Sequence, residues 1–133
     1  VRGTGRRTFF HNRGANALFG PEHVPVERLG VRLLHLAYLL QMARMDAPDP
    51  DFGTVAARVL ARLREAGILT SIDVITEDSD RYPRVVHPAL GHTDYAILNE
   101  LEAGRTTGHD LRPGGRPFSG CLACRHLPLC AGR

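Results

Sequence analysis

The sequence predicts an α/β fold built on a mostly parallel sheet. Short apolar runs at 32–37, 68–75 and 94–98 have the length and composition of buried strands. Stretches with helical spacing separate them, and strand, helix, strand, helix, strand, helix is the order that crossover connections produce. Near Leu111 both periods stop. The 133 residues suit one domain, divided into an α/β part at 1–110 and an irregular tail at 111–133.

Taken in order, residues 6–12 (Arg-Arg-Thr-Phe-Phe-His-Asn) read as a short strand with a β-branched and aromatic centre, broken by Gly14. Gly20-Pro21 is a turn signal, with a short helix expected over Glu22–Leu29. Residues 32–37 read as a strand buried on both faces, and 46–51 (Asp-Ala-Pro-Asp-Pro-Asp) as a loop. Thr54 is placed to cap a helix in which Val55, Val59, Leu60 and Leu63 share one face and Arg58, Arg62 and Glu65 lie off it; Gly67 is its stop. Ile68–Ile75 is the next buried strand. A helix follows over Asp80–Leu90, with Pro83 tolerable in its first turn and Pro88 ending or kinking it. Asp94–Leu98 is the third strand, and Asn99 opens a helix that stops near Gly104 or Gly108.

Composition narrows the classes. Apolar residues at 43% and charged residues at 23% are ordinary globular values and exclude a disordered or fibrous chain. No apolar run approaches the roughly twenty residues of a membrane span, and no signal peptide is visible. The net charge of +3 hides a division. Residues 111–133 hold Arg112, Arg116, Arg125, Arg133 and no acid, so 1–110 carry −1. A nucleic-acid face would need arginines clustered on the folded part, so neither nucleic acid nor membrane is expected as a partner. All three cysteines lie in the tail, giving no disulfide-built scaffold, and a cytoplasmic protein is expected. The chain opens on Val1, from a non-standard start codon or a cut N-terminus.

Ligands of parallel sheets sit at the carboxyl ends of the strands. That singles out Asp73–Glu77 and Asn99–Glu102. Asn99-x-x-Glu102 puts an amide and a carboxylate on one helical turn; on spacing alone this reads first as a plain capping box, and otherwise as a pair that could hold water on a Mg²⁺ beside a phosphate. Asp73 is a cleft carboxylate or a strand-end Asp bonded to loop amides. Glu77, Asp78 and Asp80 read as a solvated acidic loop. His11-Asn-Arg-Gly-Ala-Asn16 gathers amides and a guanidinium suited to sugar hydroxyls and phosphate, or forms a turn in which Asn16 caps a helix. Cys121-x-x-Cys124-x-His126-x-x-x-Cys130 could geometrically close on zinc, but structural zinc modules usually pair two knuckles over a longer span, so zinc is not expected. Phosphate-loop, nucleophile-elbow and dinucleotide fingerprints are absent from the sequence.

Several stretches together resemble the PfkB, or ribokinase-like, carbohydrate kinases. Arg7-Thr-Phe-Phe-His11 with Arg13-Gly-Ala-Asn-Ala17 resembles the family's substrate-pocket segment, and His35-Leu-Ala-Tyr-Leu-Leu40 the strand after it. Gly67–Asp78 resembles the strand with a cleft Asp, and Asp94–Ala103 the strand with the Asn-x-x-Glu motif. The resemblance covers about 6–110 in family order. It implies an incomplete three-layer ribokinase-like sandwich, with residues near 6–12 at a lid, and ATP and Mg²⁺ as cofactors. It implies a sugar or sugar-phosphate substrate held by Asn12, Arg13, Asn16 and Asp73. Asn99 and Glu102 would be at the magnesium–phosphate end, Glu102 towards the metal. Lid strands of the family often pair between subunits, so a homodimer is implied for the full-length proteins. The family's first strand with its di-glycine and its Gly-Ala-Gly-Asp stretch, which carries the catalytic base and the anion hole, have no counterpart here. A fragment inactive alone is therefore expected, its tail explicable by a frameshift in a GC-rich gene; a binding module without catalysis is the contrasting expectation.

Overall fold

The computed structural model describes Phe10, residues 12–109 and the backbone of 119–123. The segment predicted as a strand at 6–12 lies mostly outside those residues, as do Cys124, His126 and Cys130 of the tail motif. The described chain runs α1 (Ala15–Leu18), two 3₁₀ turns (Pro21–His23 and Val26–Arg28), β1 (Leu33–Leu39), β2 (Pro48–Asp49), β3 (Gly53–Thr54), α2 (Val55–Glu65), β4 (Leu69–Val74), α3 (Tyr82–Leu90), β5 (Tyr95–Asn99), α4 (Glu100–Thr107) and β6 (Ser119–Ala123). The main sheet has the order β1-β4-β5-β6. β1, β4 and β5 are parallel, with Leu36 opposite Ile72 and Ile72 opposite Ala96. The α/β class and the parallel core follow the sequence reading.

The elements form for local reasons that the sequence carries. The Thr54 hydroxyl oxygen accepts the Ala57 N–H at 3.2 Å, capping α2. Gly67, at φ 75°, turns the chain out of that helix in a conformation that a Cβ would oppose. Gly53 serves a different need. Its φ is 79°, and a Cβ there would come within 2.9 Å of Pro88. Pro88 sits inside α3, which ends two residues later at Leu90.

One continuous core holds the layers together. α2 contributes Val59, Leu60 and Leu63; α3 contributes Tyr82, Val85, Val86 and Ala89; α4 contributes Ala103. They meet Leu36, Ile72, Val74, Ala96 and Leu98 of the sheet. Each fully buried aliphatic side chain stabilises by about 1.5–3 kcal/mol. Side chains alternate along strands, so these sheet residues share one face. On the other face Leu33, His35 and Ile97 are exposed. The described residues thus form two layers, one of helices and one of strands. The third layer of the expected sandwich is not among them.

Four expectations are corrected. β1 is not buried on both faces: among the described residues it has a strand neighbour on one side only, and Leu33, His35 and Tyr38 are exposed. The helix expected over Glu22–Leu29 is two 3₁₀ turns, because Pro25 has no N–H for an α-helical ladder and breaks the run in the middle. The 46–51 loop contains β2, paired antiparallel with β3; Asp49 Oδ1 accepts the N–H groups of Asp51 and Phe52, both at 3.1 Å, and makes the turn between them. The tail is not wholly irregular: residues 119–123 run antiparallel to β5, Cys121 opposite Ile97. The pairing satisfies the N–H and C=O row of β5 that would otherwise be an open edge. No helix among the described residues is long and apolar enough to cross a membrane.

Candidate functional site

The carboxyl ends of β4 and β5 bring four side chains together: Asp73 on β4, Thr76 in the loop after it, Asn99 at the end of β5 and Glu102 in the first turn of α4. Parallel register places Asp73 beside Ile97, two residues before Asn99. Asn99 is both the last residue of its strand and the N-cap of its helix. That double role is what projects Glu102 back over the strand end.

The hydrogen bonding is dense. Asn99 Oδ1 accepts the N–H groups of Leu101 (2.9 Å) and Glu102 (3.0 Å). Glu102 Oε2 accepts the Asn99 N–H at 2.8 Å, closing the capping box. Asn99 Nδ2 donates to Glu102 Oε1 at 2.7 Å and to Thr76 Oγ1 at 2.9 Å. The Thr76 hydroxyl in turn donates to Glu102 Oε1. An amide side chain has two donor hydrogens and two acceptor positions, so Asn99 is saturated within the chain. Glu102 is 5% exposed and has three of about four acceptor positions filled. The unfilled one is on Oε2.

Asp73 is half-buried, and burial pushes its carboxyl above the ordinary range. The negative charge of Glu102 adds to that rise; the Val74 N–H and His35 work against it. His35, on the neighbouring strand, has its Nδ1 3.0 Å from Ser71 Oγ. The charge of Glu102 therefore reaches Asp73 at the end of two adjacent parallel strands.

A second network fixes the surrounding loops. Tyr82, 1% exposed, donates its hydroxyl to the Ile75 carbonyl at 2.7 Å and accepts the Glu77 N–H at 3.0 Å. Arg81 donates to the Leu40 carbonyl (3.1 Å), Asp46 (3.2 Å) and Glu77 (3.3 Å), joining the turn after β1 to the loop before α3. Burial raises the Asp46 carboxyl despite its Leu40 N–H bond and the Arg81 pairing. Glu77, expected in a merely solvated acidic run, is thus tethered, whereas Asp80 is exposed and pairs with Arg84 four residues on.

Asn12, Arg13 and Asn16 stand apart. All three are exposed. Asn12 Oδ1 accepts the Gly14 N–H at 2.9 Å, a local turn. Asn16 lies inside α1, whose N-cap is Gly14, so it is not the cap that one reading of the turn expected. The Arg13 charge reaches Asp46. Among the described residues, no hydrogen bond or ion pair joins these three to Asp73, Asn99 or Glu102. Thr76 lies in the Asp73–Glu77 window, but sequence reading gave it no role of its own, and Arg81 and Tyr82 were missed. Thr76 and Arg81 reach partners distant in sequence, whereas Tyr82 closes a loop on Ile75 and Glu77.

No group of three or more His, Cys, Asp or Glu that could hold a metal ion exists among the described residues. Ligation of a cation by both oxygens of Glu102 would displace donors it already holds. The chain matches no family model, no curated protein and no solved structure.

Proposed function

We propose that this chain is part of an ATP-dependent sugar kinase of the ribokinase-like type, and that the end of the sheet between β4 and β5 is its phosphoryl-transfer side. One observation carries the reading: parallel pairing of β4 with β5 sets Asp73 and the Asn99–Glu102 turn at the carboxyl ends of adjacent strands. Open α/β sheets bind ligands at that end. The resemblance to PfkB kinases assigns to this position a substrate carboxylate and a magnesium-side carboxylate.

In this reading Asp73 accepts sugar hydroxyls. Glu102, held by Asn99 and Thr76, would accept a hydrogen bond on Oε2 from the hydration shell of a bound cation. Bound magnesium–ATP supplies the phosphoryl group and offsets its charge. Asn99 shapes the site without touching ligand, since its amide is saturated. The substrate roles of Asn12 and Arg13 require the turn after Phe10 to approach Asp73 when sugar binds. The three-layer sandwich and the subunit pairing of the lid belong to this reading as well.

The 133 residues contain no Gly-Ala-Gly-Asp stretch. That favours a second reading, binding without turnover. Amide chemical-shift titration separates the two from a protein that is neither. The probes are a panel of sugars and sugar phosphates, then magnesium with a non-hydrolysable ATP analogue. Sugar is expected to move the Asp73 and Val74 signals, and magnesium–nucleotide those of Leu101 and Glu102. Sugar alone would leave the binding module; a panel in which neither moves them overturns both readings.

A further inference from the structure

We infer that the turn after β1 is a latched element, held shut by Arg81 and opening together with the Ile75–Glu77 loop beside the candidate site. The inference stands apart from the kinase reading. Three locally unfavourable features meet at this turn. Leu40 has φ 76°, the left-handed region that a Cβ opposes, and is the one non-glycine residue at positive φ among the described residues. Its side chain is fully buried, so the core pins the residue in that conformation. Asp46 has a side chain 3% exposed, and a buried carboxylate is disfavoured without a counter-charge. Burial keeps its carboxyl raised even with its bonds in place, and the Arg13 charge reaches it too. Arg81 occupies the N-cap position of α3, where the helix dipole disfavours a cation and where its side chain makes no cap bond. One guanidinium answers all three. Its Nη1 donates to the Leu40 carbonyl at 3.1 Å and its Nη2 to Asp46 Oδ2 at 3.2 Å, while Asp46 Oδ1 accepts the Leu40 N–H at 3.1 Å. Both backbone groups of the left-handed leucine are thus gripped by one ion pair. Places where several local rules fail together are where folds keep strain or function.

The turn is joined to the loop at the end of β4. The Leu39 carbonyl accepts the Ile75 N–H at 3.3 Å. The Ile75 carbonyl receives the Tyr82 hydroxyl, which accepts the Glu77 N–H, and Glu77 pairs with Arg81. Losing the Arg81 contacts therefore frees Leu40 and removes a support of Ile75–Glu77 in the same step. Native-state hydrogen exchange of the full chain, ¹⁵N-labelled, at neutral pH and low urea tests this. In the parent, the Leu40, Ile75 and Glu77 amides are expected to share one opening that low urea does not accelerate, separate from the global unfolding reported by Leu60 of α2. Arg81→Gln leaves a buried carboxylate unpaired and should speed exchange of the three amides by about 10–100-fold. Adding Asp46→Asn keeps an acceptor for the Leu40 N–H without the charge, and should return most of that increase. If Arg81→Gln fails to fold, Arg81→Lys carries the comparison; it keeps the charge and loses the planar fork, with an increase at the low end of that range. Three amides that exchange only together with Leu60 would make the turn an ordinary part of the core and overturn the latch. Exchange unchanged in the Arg81 variant would do the same. A double variant as fast as Arg81→Gln would remove the Asp46 charge from the device and overturn the ion-pair grip. Faster exchange at Leu40 with Ile75 and Glu77 unaffected would overturn the coupling to the site.

Discussion

Replacing Asn99 by Asp tests whether the amide is held against Glu102 or only caps α4. As an N-cap, Asp is as good as Asn, and its charge gains about 0.3–1 kcal/mol from the helix dipole. Capping alone therefore predicts a neutral or slightly stabilising change. The geometry predicts the opposite. Asn99 Nδ2 lies 2.7 Å from Glu102 Oε1, so Asn99→Asp puts a second carboxylate oxygen where a donor stood. Two like charges about 4 Å apart repel by about 1 kcal/mol in water and about 4 kcal/mol at a protein-like dielectric. Asn99 is exposed and Glu102 is buried, so about 2 kcal/mol is the reasonable middle. A lost hydrogen bond to a charged acceptor adds about 1.5 kcal/mol, and the dipole returns part of it. Asn99→Asp should cost about 2–3 kcal/mol at neutral pH, more than Asn99→Ser, which keeps a capping oxygen and adds no charge. Near pH about 4 one of the two carboxyls takes up a proton and can donate to the other, and the gap to Asn99→Ser should close. Urea unfolding of the three proteins at both pH values measures this. An Asn99→Asp protein as stable as the parent at neutral pH would mean that the amide is not held against Glu102.

Three further outcomes follow from the same geometry. Asp73 holds its proton above the ordinary 3.8 in the folded chain; the native state then binds more protons than the unfolded state between 3.8 and the raised value, so stability falls as pH rises through that window. Asp73→Asn should remove that decline, and a parent that instead gained stability over Asp73→Asn with rising pH would contradict the burial argument. Tyr82→Phe strips the partners from the Ile75 carbonyl and the Glu77 N–H and should cost about 1–3 kcal/mol in denaturant unfolding; faster hydrogen exchange at Glu77 would locate the loss, and an unchanged midpoint would refute it. In a coupled ADP-release assay with Mg²⁺ and a sugar panel, the chain should stay at background. A missing general base costs about 10²–10⁴-fold and missing anion-hole donors about 10²–10³-fold. Sugar-dependent turnover abolished by Glu102→Ala would show that another base is at work.

What the sequence determined by itself is what nearest neighbours along the chain decide. Thr54 and Gly67 bound α2 because a hydroxyl three residues from an N–H and a glycine at positive φ are local devices. The Asn99–Glu102 capping box is legible for the same reason, and the apolar runs at 32–37, 68–75 and 94–98 identify the strands of a parallel sheet. The tertiary structure decided what depends on segments brought from afar. Periodicity could not place β1 at the sheet edge, because an apolar run looks the same whether one face or two are covered. The strand at 119–123 has no alternation to announce it; its pairing comes from the open edge of β5. Thr76 lies twenty-six residues from Glu102, and nothing near it in sequence marks the contact. Only the folding of β4 beside β5 brings Thr76 against the Asn99–Glu102 helix cap, because parallel pairing sets the two strand ends, and the loops leaving them, side by side.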